Sequence, residues 1–164
     1  MDEAILVTYA SRFGSTQQVA EAIAQALEEE GCQVDLKPMR ETPTVNGYRA
    51  VLLGSAVNHG KWLPESVEFV RAHQKALNRV PVALFTVHIA NIGEDEKSHK
   101  SRLAYLDDVR PLLDPVDEVF FPGRFNRRGA AELIPRWIAW IVPNIDLRKW
   151  DVIREWAHEI AGKL

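Results

Sequence analysis

The residues best placed to do chemistry lie in three short stretches. The first is Ser11, Arg12, Phe13, Gly14, Ser15 and Thr16, which follows an apolar run over 5–10 and precedes a helical pattern. A phosphate dianion needs several donors converging on it. A loop wrapped onto a helix N-terminus supplies backbone N–H groups, the positive end of the helix dipole and nearby hydroxyls. Ser11, Ser15 and Thr16 would give the hydroxyls, and Gly14 the positive φ or close backbone approach that such a turn demands. There is no Gly-x-x-x-x-Gly-Lys-Ser/Thr and no Gly-x-Gly-x-x-Gly after a strand, so nucleoside-triphosphatase and dinucleotide fingerprints are missing. An ordinary strand-to-helix turn with Ser or Thr as N-cap uses the same residues and stays open at this point.

The second stretch, 55–62, holds Ala56, Val57, Asn58, Gly60, Lys61 and Trp62, small residues ending in one large aromatic. The third, 88–93, opens with His88, Ile89, Ala90 and Asn91. A planar ligand gains from stacking on an aromatic face, a role open to Trp62 against that of a hydrophobic anchor under the next helix. His59 and His88 titrate near neutrality and could handle protons; His73 and His158 fall on helical patterns and read as structural. Arg124, Arg127 and Arg128 offer guanidinium forks suited to the carboxylates of an acidic ligand, against the alternative of solvated surface arginines. No Ser/His/Asp or Cys/His constellation and no metal-ligand cysteine spacing is present.

The elements that must position these stretches follow from periodicity. Val19, Ala20, Ile23, Ala24 and Leu27 recur at helical spacing, closed by an acidic turn and Gly31. Strands are expected over 34–36, 49–54, 80–87 and 116–121. The continuous apolar run at 50–53 suits a parallel strand covered on both faces. Pro64, at a first-turn position with Glu65 and Glu68, starts a second helix. A third spans 98–113 and is ended or kinked by Pro111, and a fourth covers 150–161. Strands alternating with helices argue for right-handed βαβ units, in which ligands bind beyond the carboxyl ends of the strands. The three stretches follow the first, third and fourth strands, as one shared ligand requires.

Composition narrows the class. A chain of 164 residues with 46% hydrophobic and 26% charged residues is about one globular domain. A net charge of −3 gives no case for nucleic acid. The single cysteine, Cys32, reads as a small apolar residue at a strand start, which suits a reducing, cytoplasmic setting. No signal pattern or apolar span of about 20 residues is seen. Charge is uneven: 123–150 carries six basic and two acidic residues, a local +4, and the other fourteen basic and twenty-one acidic residues leave −7. Within it, Trp137, Ile138, Trp140 and Ile141 sit among arginines. The stretch 129–143 therefore fits an interfacial helix meeting a membrane, a quinone or a flat substrate, an extra helix on the sheet edge, or a contact in a homo-oligomer.

At the three loops the sequence resembles the flavodoxin-like family, whose phosphate loop, Ser/Thr-x-x-Gly-x-Thr, is matched by Ser11, Gly14 and Thr16. Within the family it is most similar to the single-domain subgroup that includes the menaquinone-dependent protoporphyrinogen IX dehydrogenases. The resemblance covers nearly the whole chain, including the loop from Gly54 to Trp62 and the closing stretch with Trp150 and Asp151. It implies one flavodoxin-like domain over 1–164, to which the Trp-rich basic segment at 123–149 is extra. The fold is a three-layer α/β sandwich whose five-stranded parallel sheet runs in the order 2-1-3-4-5. It also implies FMN, with its phosphate in the loop 11–16 and its ring between the other two loops. Backbone groups of 56–58 and 88–91 would then tune its potential. The third loop departs from electron-carrier flavodoxins, with Gly93, Glu94 and Asp95 in place of their aromatic and Gly-rich run. The charge balance also departs from the strong acidity of such carriers. The reading is an FMN-dependent oxidoreductase using a small molecule or a quinone as redox partner, with dehydrogenation of protoporphyrinogen IX as the implied reaction. A non-catalytic electron carrier and a cofactor-free interaction module remain the alternatives.

Overall fold

The computed structural model describes residues 3–125, 135–141 and 145–164. The chain opens with β1 (Ile5–Ala10), every residue of which is buried. It continues through α1 (Ser15–Glu29), β2 (Val34–Pro38), a 3-10 turn (Met39–Glu41), β3 (Ala50–Asn58), β4 (Lys61–Trp62) and α2 (Pro64–Leu77). Then come β5 (Val82–His88), α3 (Glu96–Ala104), a second 3-10 turn (Arg110–Leu112) and β6 (Asp117–Pro122). The chain closes with β7 (Arg124–Phe125), α4 (Arg136–Ala139), β8 (Ile145–Asp146) and α5 (Trp150–Ala161).

Five strands form a parallel sheet in the order β2-β1-β3-β5-β6, the expected 2-1-3-4-5 once the small β4 is set aside. Side chains alternate across each strand. Ile5, Val7 and Tyr9 of β1 face a layer made by α1 (Val19, Ile23, Leu27) and α5 (Ile153, Trp156, Ile160). Leu6, Val51, Leu53 and Leu84 face the layer of α2 (Val67, Val70, Leu77) with Leu106 and Val109. Both faces being covered explains why the central strands read as unbroken apolar runs.

Three expected boundaries are corrected. β3 does not end at Gly54. It runs on to Asn58 and folds back as β4, pairing Val57 with Trp62 and Asn58 with Lys61. The two-residue turn between them has positive φ at both His59 (52°) and Gly60 (74°), the hairpin geometry that matches strand twist. The stretch 55–62 is thus a hairpin and not a loop. Ser55 fixes it: its hydroxyl accepts from Leu63 N at 3.1 Å and from the Ser66 hydroxyl at 2.9 Å, tying the hairpin to the start of α2. The third helix begins two residues earlier than expected, because Asp95 caps it through Ser98 N at 3.1 Å. It stops at Ala104, well before Pro111, which opens the second 3-10 turn. In the 129–143 stretch the described helix is the single turn α4; residues 129–134, 142 and 143 lie outside the described residues.

Gly54 sits directly across from Phe85, and a Cβ there would come within 2.0 Å of that ring. Gly54→Ala should therefore lower stability by about 3 kcal/mol, the upper end of the cost of overpacking a core, measured by urea unfolding of both proteins.

Candidate functional site

The phosphate-like loop is pre-shaped. Gly14, the N-cap of α1, adopts φ 86°, and its N–H donates to the Ser11 hydroxyl at 3.0 Å. Ser15 accepts from Arg124 N at 3.1 Å, leaving its own proton free to donate outward. Arg12 and Phe13 are exposed at the rim of the turn. No side chain caps α1, and no acidic residue stands in its first turn. Most telling is Thr16. It is 1% exposed, and its hydroxyl is buried with no hydrogen-bond partner among the described residues. A buried polar atom without a partner costs free energy, and here it sits at the positive end of a fifteen-residue helix. The N-cap position is held by Gly14, which has no side chain to cap the helix. The donor set fits a phosphate monoester, and so fits FMN.

The second stretch brings Ala56, Val57 and Asn58, all half-buried, to the carboxyl end of β3, with His59 and Gly60 exposed at the tip. Lys61 pairs with Asp108 at 3.1 Å. Trp62 requires a correction. It is 2% exposed, its indole N–H donates to the Thr86 hydroxyl at 2.8 Å and its backbone N–H to Tyr105 O at 3.2 Å. With the ring enclosed in the α2 layer, no face is open to a planar ligand. Trp62 is the hydrophobic anchor of the hairpin.

In the third stretch Ile89, Ala90 and Asn91 are exposed beyond the end of β5. His88 is turned inward and is 4% exposed, with ring contacts to Tyr105 (5.8 Å) and Phe120 (6.4 Å). Its Nδ1 lies 2.7 Å from Ala90 O, and since a carbonyl only accepts, Nδ1 carries the proton. Burial lowers its pKa, and the Arg102 charge adds to that. A neutral, enclosed imidazole does not suit the proton-handling role open to it from sequence; His88 shapes the loop. Of the other histidines, His73 stacks on Phe69 at 4.4 Å, and His158 pairs with Glu30 at 2.7 Å.

Of the candidate carboxylate-binding arginines, Arg124 lies beside the phosphate-like loop and pairs with Asp146 in the β7–β8 ladder; Arg127 and Arg128 lie outside the described residues. The ladder is fastened to α1. Gly123 N donates to His88 O at 2.7 Å, and Gly123 O accepts from Leu147 N at 3.0 Å. Arg148, whose side chain is 6% exposed, holds Asp146 in a two-pronged ion pair at 2.7 and 2.8 Å. It also donates to Gln18 of α1 and lies 4.6 Å over the Trp150 ring. The partners of Arg148, and of the loop-holding pair Arg102 and Tyr105, carry no signal in the sequence, because a side chain's type does not name what it will meet. A cavity of about 530 Å³ opens on the α2 side of the phosphate-like loop, lined by Ser11, Arg12, Gly14, Gln17, Arg40 and Phe69 among others. Among the described residues no cluster of His, Cys, Asp and Glu could hold a metal, and no helix is long and apolar enough to cross a membrane.

A doubly wound parallel sheet whose first strand ends in an uncapped helix N-terminus with an unspent buried hydroxyl defines a mononucleotide-binding α/β protein. The family model described as Flavodoxin domain matches residues 6–128, and the chain belongs to that family. Membership implies FMN as its cofactor. Over 86 residues the chain is 30% identical to the protoporphyrinogen IX dehydrogenase (quinone) of Escherichia coli K12; the match covers 51% of this chain and 48% of that protein, about half its length. Its fold is similar to that of a flavodoxin from the domain Archaea, with TM-score 0.62 and 18% identity, covering 98% and 97% of the two chains. Oxidised Flavodoxin 1 from Bacillus cereus gives TM-score 0.64 and 12% identity, covering 98% and 99%.

The Asp146–Arg148 pair has a pH signature. Hydrogen bonding to Arg148 lowers the Asp146 pKa from 3.8 to about 2. A depressed acid stabilises the fold above its unfolded pKa and loses that contribution as pH falls through its folded value. The difference in melting temperature between wild type and Asp146→Asn should be full above about pH 4 and close as pH approaches about 2.

Proposed function

We propose that this chain is an FMN-dependent oxidoreductase. The observation that carries the reading is the partnerless buried hydroxyl of Thr16 at the uncapped start of α1. In this reading Thr16, Ser15 and the first N–H groups of α1 hold the FMN phosphate. The ring lies between Ala56–Val57–Asn58, the last residues of β3, and Ile89–Ala90–Asn91, which follow the carboxyl end of β5. FMN, when bound, supplies the hydride or electron chemistry. The protein's part is to grip the phosphate, orient the ring between two braced loops and leave a ring face to the substrate, since Trp62 is committed to the core.

The substrate we infer is protoporphyrinogen IX, which would lose hydrogen while a quinone gains it. The partial likeness to a dehydrogenase of that substrate supports this, as does the +4 charge of 123–150, unlike a carrier that docks through acidic residues. The chain is then one flavodoxin-like unit with an added segment at 123–149, bracketed by the β7–β8 ladder. Trp137, Trp140 and Ile141, which are 72%, 65% and 63% exposed, with Arg136 beside them, would meet the membrane surface where a quinone resides. Full-length likeness to flavodoxins favours a second reading, electron carriage without catalysis.

Two measurements check these statements. Thr16→Val keeps the volume and removes the hydroxyl. Its melting temperature should not fall, while its FMN affinity, followed by flavin fluorescence, should drop about tenfold or more, the worth of a hydrogen bond to a charged group. Wild-type protein should turn protoporphyrinogen IX into fluorescent porphyrin with a quinone held in anionic vesicles. A Trp137→Ser, Trp140→Ser variant should be slowed with vesicle quinone and not with a soluble one; FMN binding without any turnover would leave the carrier reading.

A further inference from the structure

The loop after β5 has an unusual polarity. Its exposed residues 89–92 lie beyond the carboxyl end of a central strand, where a ligand of this fold sits. Yet three of its carbonyls are committed within the protein. Ala90 O accepts from His88 Nδ1 at 2.7 Å and from the Tyr105 hydroxyl at 3.2 Å. Asn91 O and Gly93 O both accept from one nitrogen of Arg102, Nη1, at 2.5 and 2.6 Å. The Asn91 amide donates to the same Tyr105 hydroxyl at 2.7 Å, which holds Asn91 at its positive φ of 55°. In contrast, the N–H groups of Ala90, Asn91 and Ile92 have no acceptor among the described residues.

We propose that Arg102 is a positioning residue that turns the carbonyls of this loop inward and its N–H groups outward, so that the site favours reduced over oxidised flavin. The proposal rests on the FMN reading above and deepens it. Main-chain N–H dipoles backed by a fixed cation stabilise electron density that faces them, and the flavin ring edge gains electron density on reduction. A loop presenting carbonyls there would do the opposite. The device is local and rigid. Asp95 caps α3 through the Ser98 N–H at 3.1 Å and the Ser98 hydroxyl at 2.7 Å, and a Cβ at Gly93 would come within 2.5 Å of Asp95 Oδ1. The helix therefore starts at a fixed place against the loop, and Arg102 near its end reaches back to it. Tyr105 extends the brace to the hairpin, since its carbonyl accepts from Trp62 N at 3.2 Å.

The test compares wild type, Arg102→Gln, Arg102→Lys and Tyr105→Phe. Each is loaded with FMN for a potentiometric titration, and the flavin-free forms are titrated with inorganic phosphate. In Arg102→Gln the preference for reduced over oxidised flavin should fall about tenfold, equivalent to a two-electron midpoint about 30 mV more negative. Phosphate affinity should be unchanged. Arg102→Lys, which keeps the cation and a donor, should recover at least half of that shift. Tyr105→Phe, which keeps Arg102, should move the midpoint in the same direction by a smaller factor. An unchanged midpoint in Arg102→Gln overturns the proposal, as does a loss of phosphate affinity equal to its loss of FMN affinity, which would mark a general structural defect. Wild-type protein that binds neither phosphate nor FMN would instead overturn the FMN reading itself.

Discussion

The structure depends on a helix start left electrostatically incomplete. α1 follows the inner strand β1 with Gly14 in a left-handed conformation and, among the described residues, no side chain capping its first N–H groups and no partner for the buried Thr16 hydroxyl. A helix terminus with orphan donors is normally satisfied by caps or water, and leaving one open in a buried setting is a cost the rest of the fold must carry. The cover of two apolar layers on β1 holds it in place, so the donors stay aligned for an anion instead of relaxing onto one another.

The other two loops follow a different rule, in which side chains that could have met a ligand are spent on bracing. Trp62 links the hairpin to β5 through Thr86 and to the end of α3 through Tyr105. His88 and Tyr105 share one carbonyl of the next loop. The hairpin and the loop after β5, the two walls of the proposed ring site, are thus joined through Tyr105, by backbone on one side and hydroxyl on the other. Backbone, not aromatic side chains, is what these walls offer a ligand.

The β7–β8 ladder is joined to the same machinery. Arg124 N–H of β7 reaches Ser15, and Arg148, two residues beyond β8 and paired with its Asp146, reaches Gln18, so the ladder is tied to the start of the phosphate-like helix. Gly123 makes this approach feasible, since a Cβ there would come within 2.7 Å of Val87 and 3.2 Å of the Ser15 hydroxyl.

Much of this was legible in the residues alone. The apolar run before Ser11, the helical spacing of Val19 to Leu27 and the strand–helix alternation determined the α/β class and the place of the phosphate-like loop, because both depend on periodicity and on chain-local turn chemistry, while the sheet order followed from the family resemblance. The turn at His59 and Gly60 and the capping of α3 by Asp95 rest on chain-local bonds that periodicity does not show, whereas the burial of Trp62 and His88 was decided by tertiary structure. An aromatic or imidazole beside a site reads the same in sequence whether its ring faces ligand or core. The pairings of Arg102 with Asn91 and Gly93, and of Arg148 with Gln18 across 130 positions, likewise exist only once the chain has folded. A side chain's chemistry is written in its type, but its partner is set by which surfaces the packed layers bring together.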